Sequence, residues 1–490
     1  MRRQSKKHRL KAELQTYFLK AEFVFATLGD CALANPGGFR QNGRMSGKHP
    51  RREVDFIPED FPQGIRAAVV LIAGAALVGA LTGLVGTGFL VSLRAGSGWF
   101  ADIRSALAGW PPVLGWLALT SLVTFSTMLA AWMVRRFAPN AGGSGIPDVE
   151  KVLRGTAAPH HAGVLPVKFF GGWLALSCGL LLGREGPTVQ MGAVIGERVG
   201  RMFPHLQGAW KSLMAAGSGA GLATAFNAPV GGTIFILEEV FRKITPLTFI
   251  LAATAASVSI FLQRAIFHMP QDYAVPVVPG TPAMAAGLFF VFGVGVGLLG
   301  VFYNRLLLRL LAFSRGLGAV GTRWKTAGIG AVIGTLAWFA PTWVGGGDDI
   351  TQTVLAGHPE LLFLAAIASV RFFLGPLCYA AGTPGGLFAP VVAMGALVGA
   401  LAGSLLHALA PDLVPSPLAF AVAGMAAFFT ASVRAPLTGI VICLEMTGCF
   451  GLFFPMLATC LGAYLVPTLL RDRPIYDALA DLTASPEPRG

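Results

Sequence analysis

Two long apolar stretches constrain the fold of this chain more than any other feature. Residues 67–93 and 112–134 contain no charged side chain. Each is longer than the roughly 20 apolar residues that cross a hydrocarbon core as an α-helix. Composition agrees, because only 12% of the 490 residues are charged, about half of the ~25% typical of soluble domains. Further apolar runs follow along the chain, so the sequence predicts an all-α polytopic membrane protein.

A basic segment, residues 1–64, precedes the first apolar run. Binding of nucleic acid is one interpretation of such a segment. The excess of Lys and Arg on the cytoplasmic flank of a first span is the simpler one. We therefore expect a partly disordered cytoplasmic segment and no nucleic-acid partner. Met45 is an alternative start for the natural protein.

An internal repeat follows the basic segment. Residues 187–196 and 390–399 are identical at six of ten positions, and residues 228–238 and 435–445 at five of eleven. The offsets, 203 and 207, place the blocks in the same order at nearly the same spacing. Two similar halves with the substrate site between them are typical of transporters.

After the basic segment, no polar linker interrupts the chain. We therefore expect residues 65–490 to form a single membrane domain. We place its two halves at about 65–266 and 282–470. A short C-terminal cytoplasmic helix is expected at 472–482.

Three glycine-rich turns each lead to a helix that we expect to begin at or near a proline. They are Gly-Ser-Gly-Ile-Pro at 143–147, Gly-Arg-Glu-Gly-Pro at 183–187 and Gly-Gly-Leu-Phe-Ala-Pro at 385–390. Proline is favoured in the first helical turn, where its missing N–H would have no partner. Pro229 and Pro436 begin helices of the same kind. The supporting residues of the three turns are Gly143, Gly145, Ile146, Pro147, Gly186, Pro187 and Ala389.

The N-terminus of a helix offers free N–H groups and about half a unit of positive charge. Several such ends aimed at one point form an anion site without a Lys or Arg. Partial charges also allow the anion to leave again, as transport requires. Ordinary helix caps are the alternative for any single turn. Three turns together, two of them within the repeat, favour the anion site.

Glu185 is the only carboxylate within these turns. It competes with an anion for the same N–H groups, so it either occupies the site or takes a proton and leaves. Burial disfavours a charged carboxylate and N–H donors favour it, so its proton affinity is tunable. Ionisable groups inside a membrane are functional candidates. An ion pair with the neighbouring Arg184 is the alternative.

Three further glutamates lie in or beside the repeat. Glu238 and Glu445 occupy equivalent positions in the two halves, which favours a structural role such as a helix cap. Glu239 has no equivalent, because Met446 lies at that position in the second half. Glu239 is therefore the better candidate for a specific function.

The motifs resemble the signature sequences of the CLC family of chloride channels and transporters. The similarity also includes Phe-Asn-Ala-Pro at 226–229 and Arg-Ala-Pro-Leu-Thr-Gly at 434–439, and it extends over about residues 65–480. It implies the CLC fold, with two inverted repeats of tilted and re-entrant helices, about 18 in all. It also implies a homodimer with one pore per subunit. The chain is similar to bacterial members without cytosolic nucleotide-binding domains, which suggests an inner-membrane protein with both termini cytoplasmic.

The same resemblance implies roles for individual residues. Ser144, Tyr476 and the backbone amides of Leu387 and Phe388 would bind chloride. Serine at position 144 favours chloride, because nitrate-preferring members have Pro there and fluoride exporters have Met. Glu185 would be the external gate and proton carrier.

Glu239 falls at the position of the internal proton-transfer glutamate of the exchangers, which channels typically replace. The resemblance therefore implies exchange of chloride for protons. A passive voltage- or pH-gated chloride channel on the same fold is the alternative.

Enzyme classes find no support in the sequence. The chain contains no P-loop and no His-Glu-x-x-His motif. The Gly-x-Gly-x-x-Gly at 295–300 lies inside an apolar run, where helix packing explains it better. No Cys-x-x-Cys pair occurs, so we expect no metal site and no cofactor. His160 and His161 are interpreted as solvated loop residues.

Overall fold

The structure is a computed structural model that describes residues 65–483, with gaps at 162, 204–208, 243–244, 269–272, 277, 279–281 and 358–359. The basic segment 1–64, with Met45, lies outside the described residues.

Seventeen α-helices and no β-strand are present in the described part of the chain. The first eight are α1 (Ile65–Leu107), α2 (Pro112–Phe137), α3 (Ile146–Leu153), α4 (Val164–Ser177), α5 (Glu185–Gly200), α6 (Ala209–Phe226), α7 (Pro229–Phe235) and α8 (Pro246–Phe267). The next eight are α9 (Ala286–Gly316), α10 (Ala319–Phe339), α11 (Asp348–Ala356), α12 (Leu361–Tyr379), α13 (Phe388–Leu409), α14 (Pro417–Val433), α15 (Pro436–Thr447) and α16 (Phe453–Leu469). The last is α17 (Ile475–Thr483), and a π-helical turn, Ile236–Val240, follows α7.

Seven helical segments within the described ranges are long and apolar enough to cross a membrane. They belong to α1, α2, α8, α9, α12, α13 and α16. Large apolar side chains such as Phe261, Phe302 and Phe454 are exposed on these helices. Apolar surface of this extent is unfavourable in water and suits a hydrocarbon environment. The expected multi-pass membrane architecture is confirmed.

The predicted helix starts are also confirmed. Helices α3, α5, α7, α13 and α15 each begin at, or within two residues before, a proline. The prolines are Pro147, Pro187, Pro229, Pro390 and Pro436.

Equivalent helix pairs in the two halves of the chain pack through equivalent glycines. A Cβ atom on Gly192 of α5 would overlap the carbonyl oxygen of Gly217 in α6. A Cβ atom on Gly395 of α13 would overlap the carbonyl oxygen of Gly424 in α14. Glycine at a helix contact permits this close approach. The sequence repeat is therefore also a repeat in packing.

Two glutamates each cap a helix of the other half of the chain. The Glu238 carboxylate accepts hydrogen bonds from the free N–H groups of Leu437 and Thr438 at the start of α15, at 3.1 and 2.7 Å. The Glu445 carboxylate accepts from two N–H groups at the start of α7, also at 3.1 and 2.7 Å. Each glutamate lies near the end of one helix and caps the beginning of the other, so the two helices are antiparallel. The structural role predicted for this pair is confirmed.

Candidate functional site

The three glycine-rich turns meet at one place and are joined by backbone hydrogen bonds. The Gly143 N–H donates to the Thr383 carbonyl oxygen, and the Gly385 N–H donates to the Gly143 carbonyl oxygen, both at 3.0 Å. Gly183 and Gly386 exchange hydrogen bonds at 2.8 and 2.7 Å. The turn before α13 therefore lies between the turns before α3 and α5.

Close approach explains the glycines of these turns. A Cβ atom on Gly186 would lie 2.7 Å from the Ser144 carbonyl oxygen and 2.9 Å from the Gly386 Cα atom. Gly145 has a φ of +82°, a conformation that favours glycine. The other supporting residues lie in first helical turns: Ile146 and Pro147 in α3, Pro187 in α5 and Ala389 in α13.

The Glu185 carboxylate is bound at the N-terminus of α13. Its side chain is completely buried, and its Oε1 atom accepts a hydrogen bond from the Phe388 N–H at 2.6 Å. Phe388 is the first residue of α13, and Leu387 is its N-cap. The alternative ion pair with Arg184 is not formed, because the Arg184 Nη1 atom instead lies 3.8 Å from the Asp348 Oδ2 atom. The carboxylate thus accepts one of the free N–H groups at the start of this helix.

Two buried hydroxyls accompany this carboxylate. The Ser144 Oγ and Tyr476 Oη atoms have no hydrogen-bond partner among the described residues. Tyr476 lies in α17, which packs against α3, the helix that follows Ser144. Buried hydroxyls usually have a partner, so these two are available to a ligand. The structure therefore joins Glu185 to Phe388, places the Gly186 backbone against Ser144, and packs the helix of Tyr476 against α3.

Two buried residues of the site were not anticipated from the sequence. The Tyr379 hydroxyl accepts a hydrogen bond from the Ser144 N–H at 3.1 Å. The Lys168 Nζ atom donates to the Gly143 carbonyl oxygen at 2.7 Å. The expectation that no Lys or Arg contributes is therefore incomplete, because a buried ammonium group contacts the turn. A single charge in the apolar sequence of α4 is the signal that marks Lys168; Tyr379 has no such signal.

Glu239 lies in a network of charged side chains. It is buried in the turn after α7, and its Oε1 atom is 3.4 Å from the Arg242 Nη2 atom. Arg242 also pairs with Asp477 at 2.9 Å. Arg154 connects Asp477 to the buried Glu150, at 3.4 Å from each carboxylate. Asp477 directly follows the site tyrosine in α17, so the network extends from the candidate site to Glu239.

The interpretation of His160 as solvated was wrong. Its side chain is buried, with the Nε2 atom 3.0 Å from the Asp148 Oδ2 atom and the Nδ1 atom 3.1 Å from the Glu197 Oε2 atom. Only the neighbouring His161 is exposed. The loop before α4 places the imidazole between a carboxylate of α3 and one of α5, which compensates for the loss of water. Asp148 directly follows the first glycine-rich turn, so His160 supports that turn.

Comparison with known proteins extends the similarity to most of the chain. The family model of the voltage gated chloride channel matches residues 126–468. The H⁺/Cl⁻ exchange transporter ClcA of Vibrio cholerae is 38% identical over 420 residues, which cover 83% of this chain and 88% of the relative. The transporter of the same name from Vibrio parahaemolyticus is 37% identical over 445 residues, covering 88% and 93%.

A solved structure agrees with the sequence relatives. The crystal structure of a slow cyanobacterial Cl⁻/H⁺ antiporter matches with a TM-score of 0.81 and 35% identity, covering 84% of this chain and 97% of that one. The fold implied by the sequence motifs is confirmed.

We predict that His160→Ala lowers the free energy of unfolding by roughly 2–3 kcal/mol, because it removes the imidazole that both carboxylates contact and leaves buried polar groups without a partner. Denaturant unfolding of the purified protein in detergent measures the change. His161→Ala is the matched control and should leave stability unchanged, since His161 is exposed. Equal stability of the two variants would contradict the structural role of His160.

Proposed function

Because the chain belongs to the voltage-gated chloride channel (CLC) family, we propose that it is a secondary active transporter that exchanges chloride for protons across the membrane. One observation carries the proposal: the Glu185 carboxylate accepts the Phe388 N–H at the start of α13. A group that titrates and an anion that is transported would then use the same N–H groups. The relatives named as H⁺/Cl⁻ exchangers support this assignment.

Chloride would bind between two hydroxyl donors and one helix end. We assign Ser144 Oγ and Tyr476 Oη as the hydroxyl donors, and the backbone N–H groups of Leu387 and Phe388 as the helix-end donors. Their partial charges attract the anion without holding it as firmly as a directly bound Lys or Arg would. Tyr379 would keep Ser144 in position through the Ser144 N–H.

Glu185 would act as the external gate and the proton carrier. In its charged form it binds the N–H at the start of α13 and excludes chloride from that position. A proton removes its charge, weakens this hydrogen bond and releases the side chain. Chloride then takes the position that the carboxylate leaves, so each exchange of occupants is linked to a proton.

Glu239 would transfer protons between Glu185 and the cytoplasm. It is buried beside Arg242, and the charged network around it reaches α17, the helix that carries Tyr476. A buried carboxyl group at the edge of such a network is suited to accept and release protons. Glu239 also favours exchange over the second candidate, a passive voltage- or pH-gated chloride channel on the same fold.

Basic residues support an orientation with both termini in the cytoplasm. Arg315 at the end of α9 and Arg323 at the start of α10 lie at consecutive helix ends. Arg136 lies at the end of α2, which packs antiparallel against α10 and so ends at the same side. The start of α9 and the end of α10 carry no basic residue. The positive-inside rule assigns the basic ends to the cytoplasm.

We further propose the bacterial inner membrane as the location and a homodimer with one pore per subunit.

The direct test uses purified protein in liposomes of low proton permeability with a chloride gradient. We expect chloride flux to drive protons uphill in the opposite direction, because the two ions share Glu185. Extravesicular pH and chloride electrodes record both fluxes. Protein-free liposomes are the control. Chloride flux without proton movement would favour the channel and defeat the exchanger.

Glu185→Gln should abolish proton transport, because glutamine is neutral and cannot carry the proton. The same liposome assay applies, with Glu360→Gln as the matched control, because Glu360 is an exposed glutamate outside the three turns. Proton-coupled flux that survives Glu185→Gln would remove Glu185 from the mechanism.

Glu239→Ala should abolish proton transport while chloride flux persists, since Glu239 is separate from the glycine-rich turns. Glu238→Gln is the matched control: its amide oxygen still accepts from the start of α15, so coupling should continue. Loss of coupling in both variants would point to a structural effect instead of proton transfer.

A further inference from the structure

A cavity of about 650 Å³ lies where the end of α2 meets the start of α10. Its walls combine apolar side chains, including Phe125 and Trp132, with the three arginines Arg135, Arg136 and Arg323. None of these residues belongs to the candidate transport site.

The two helices that form the cavity are antiparallel. A Cβ atom on Gly330 of α10 would lie 2.7 Å from the Thr124 Cα atom of α2, and one on Gly334 would lie 2.7 Å from the Thr120 Cα atom. Residues later in α10 therefore contact residues earlier in α2. The arginines of the two helices consequently lie at the same membrane surface, and the apolar wall extends from them towards the membrane interior.

Within the part of the chain that the structure describes, no carboxylate neutralises the positive charge of this cavity. Residues 112–147 and 286–347, which include both helices, contain no Asp or Glu. Among the described residues, Arg135, Arg136 and Arg323 form no ion pair with a carboxylate. Arg135, Arg136 and Arg323 line the same cavity, so their like charges repel one another. An anion bound between the arginines would relieve this repulsion.

The apolar wall narrows the choice of anion. Phe125 and Trp132 are exposed beside the charges, and a small hydrated anion would gain nothing from them. A phospholipid places a phosphate at the membrane surface and acyl chains directly below it. Guanidinium groups bind phosphate oxygens with paired hydrogen bonds, and tryptophan is favoured at the level of the headgroups.

We propose that this cavity binds one anionic phospholipid of the surrounding leaflet. The phosphodiester would contact Arg135, Arg136 and Arg323, and an acyl chain would lie against Phe125 and Trp132. Basic pockets between membrane helices commonly bind such headgroups. The site is independent of the proposed exchange of chloride for protons.

The test measures lipid binding to purified, delipidated protein by native mass spectrometry. Phosphatidylglycerol and phosphatidylcholine with the same acyl chains are titrated in parallel. We expect a clear preference for phosphatidylglycerol in the unaltered protein. The triple variant Arg135→Gln, Arg136→Gln, Arg323→Gln should bind it about tenfold more weakly or worse. Arg309→Gln is the matched control, because Arg309 is an exposed arginine of α9 near the same membrane surface, and it should retain the preference.

Further measurements separate the remaining explanations. Trp132→Ala, with all three arginines in place, should also weaken phosphatidylglycerol binding, whereas inorganic phosphate should bind neither form measurably. If the triple variant does not elute as folded protein, Arg323→Gln alone replaces it. The proposal is wrong if phosphatidylcholine binds equally well, if the arginine variants retain full binding, if Arg309→Gln loses as much, or if inorganic phosphate competes at the same concentration.

Discussion

The hydrogen bond between the Phe388 N–H and the Glu185 carboxylate is the interaction around which this molecule is organised. The first N–H groups of a helix have no partner within it, and a hydrocarbon environment offers no water to replace one. A helix that begins inside a membrane protein therefore needs an acceptor at its start. At α13 that acceptor is a carboxylate from the other half of the chain.

The rest of the architecture follows from the same need. The starts of α7 and α15 are satisfied by Glu445 and Glu238, which are permanent caps provided by the repeat. The start of α13 is satisfied by Glu185, which in the proposed mechanism leaves this position when it takes a proton. The difference between a structural cap and a candidate gate is therefore position. Gly186, the residue after Glu185, packs against Ser144, whose hydroxyl has no partner among the described residues.

Prediction from the sequence succeeded where the signal is local or repeated. Helix starts at prolines, the structural pair Glu238 and Glu445, and the meeting of the three glycine-rich turns were all foreseen. It failed for His160, which was taken for a solvated residue, and it missed Tyr379. These side chains acquire their partners only through folding: Tyr379 contacts Ser144 across 235 positions, and His160 contacts Glu197 across 37. No local pattern encodes contacts of that kind.

The sequence by itself determined the membrane class, the two halves and the residue types at each helix start, because hydrophobicity, proline and glycine act over a few neighbouring residues. The tertiary structure decided which acceptor meets which helix end. It placed the Glu185 carboxylate at the start of α13 instead of in an ion pair with Arg184. It also placed the Lys168 ammonium group against the Gly143 carbonyl oxygen. Those choices depend on the packing of helices that are distant in the chain, since only packing brings a donor of one half within hydrogen-bonding distance of an acceptor in the other.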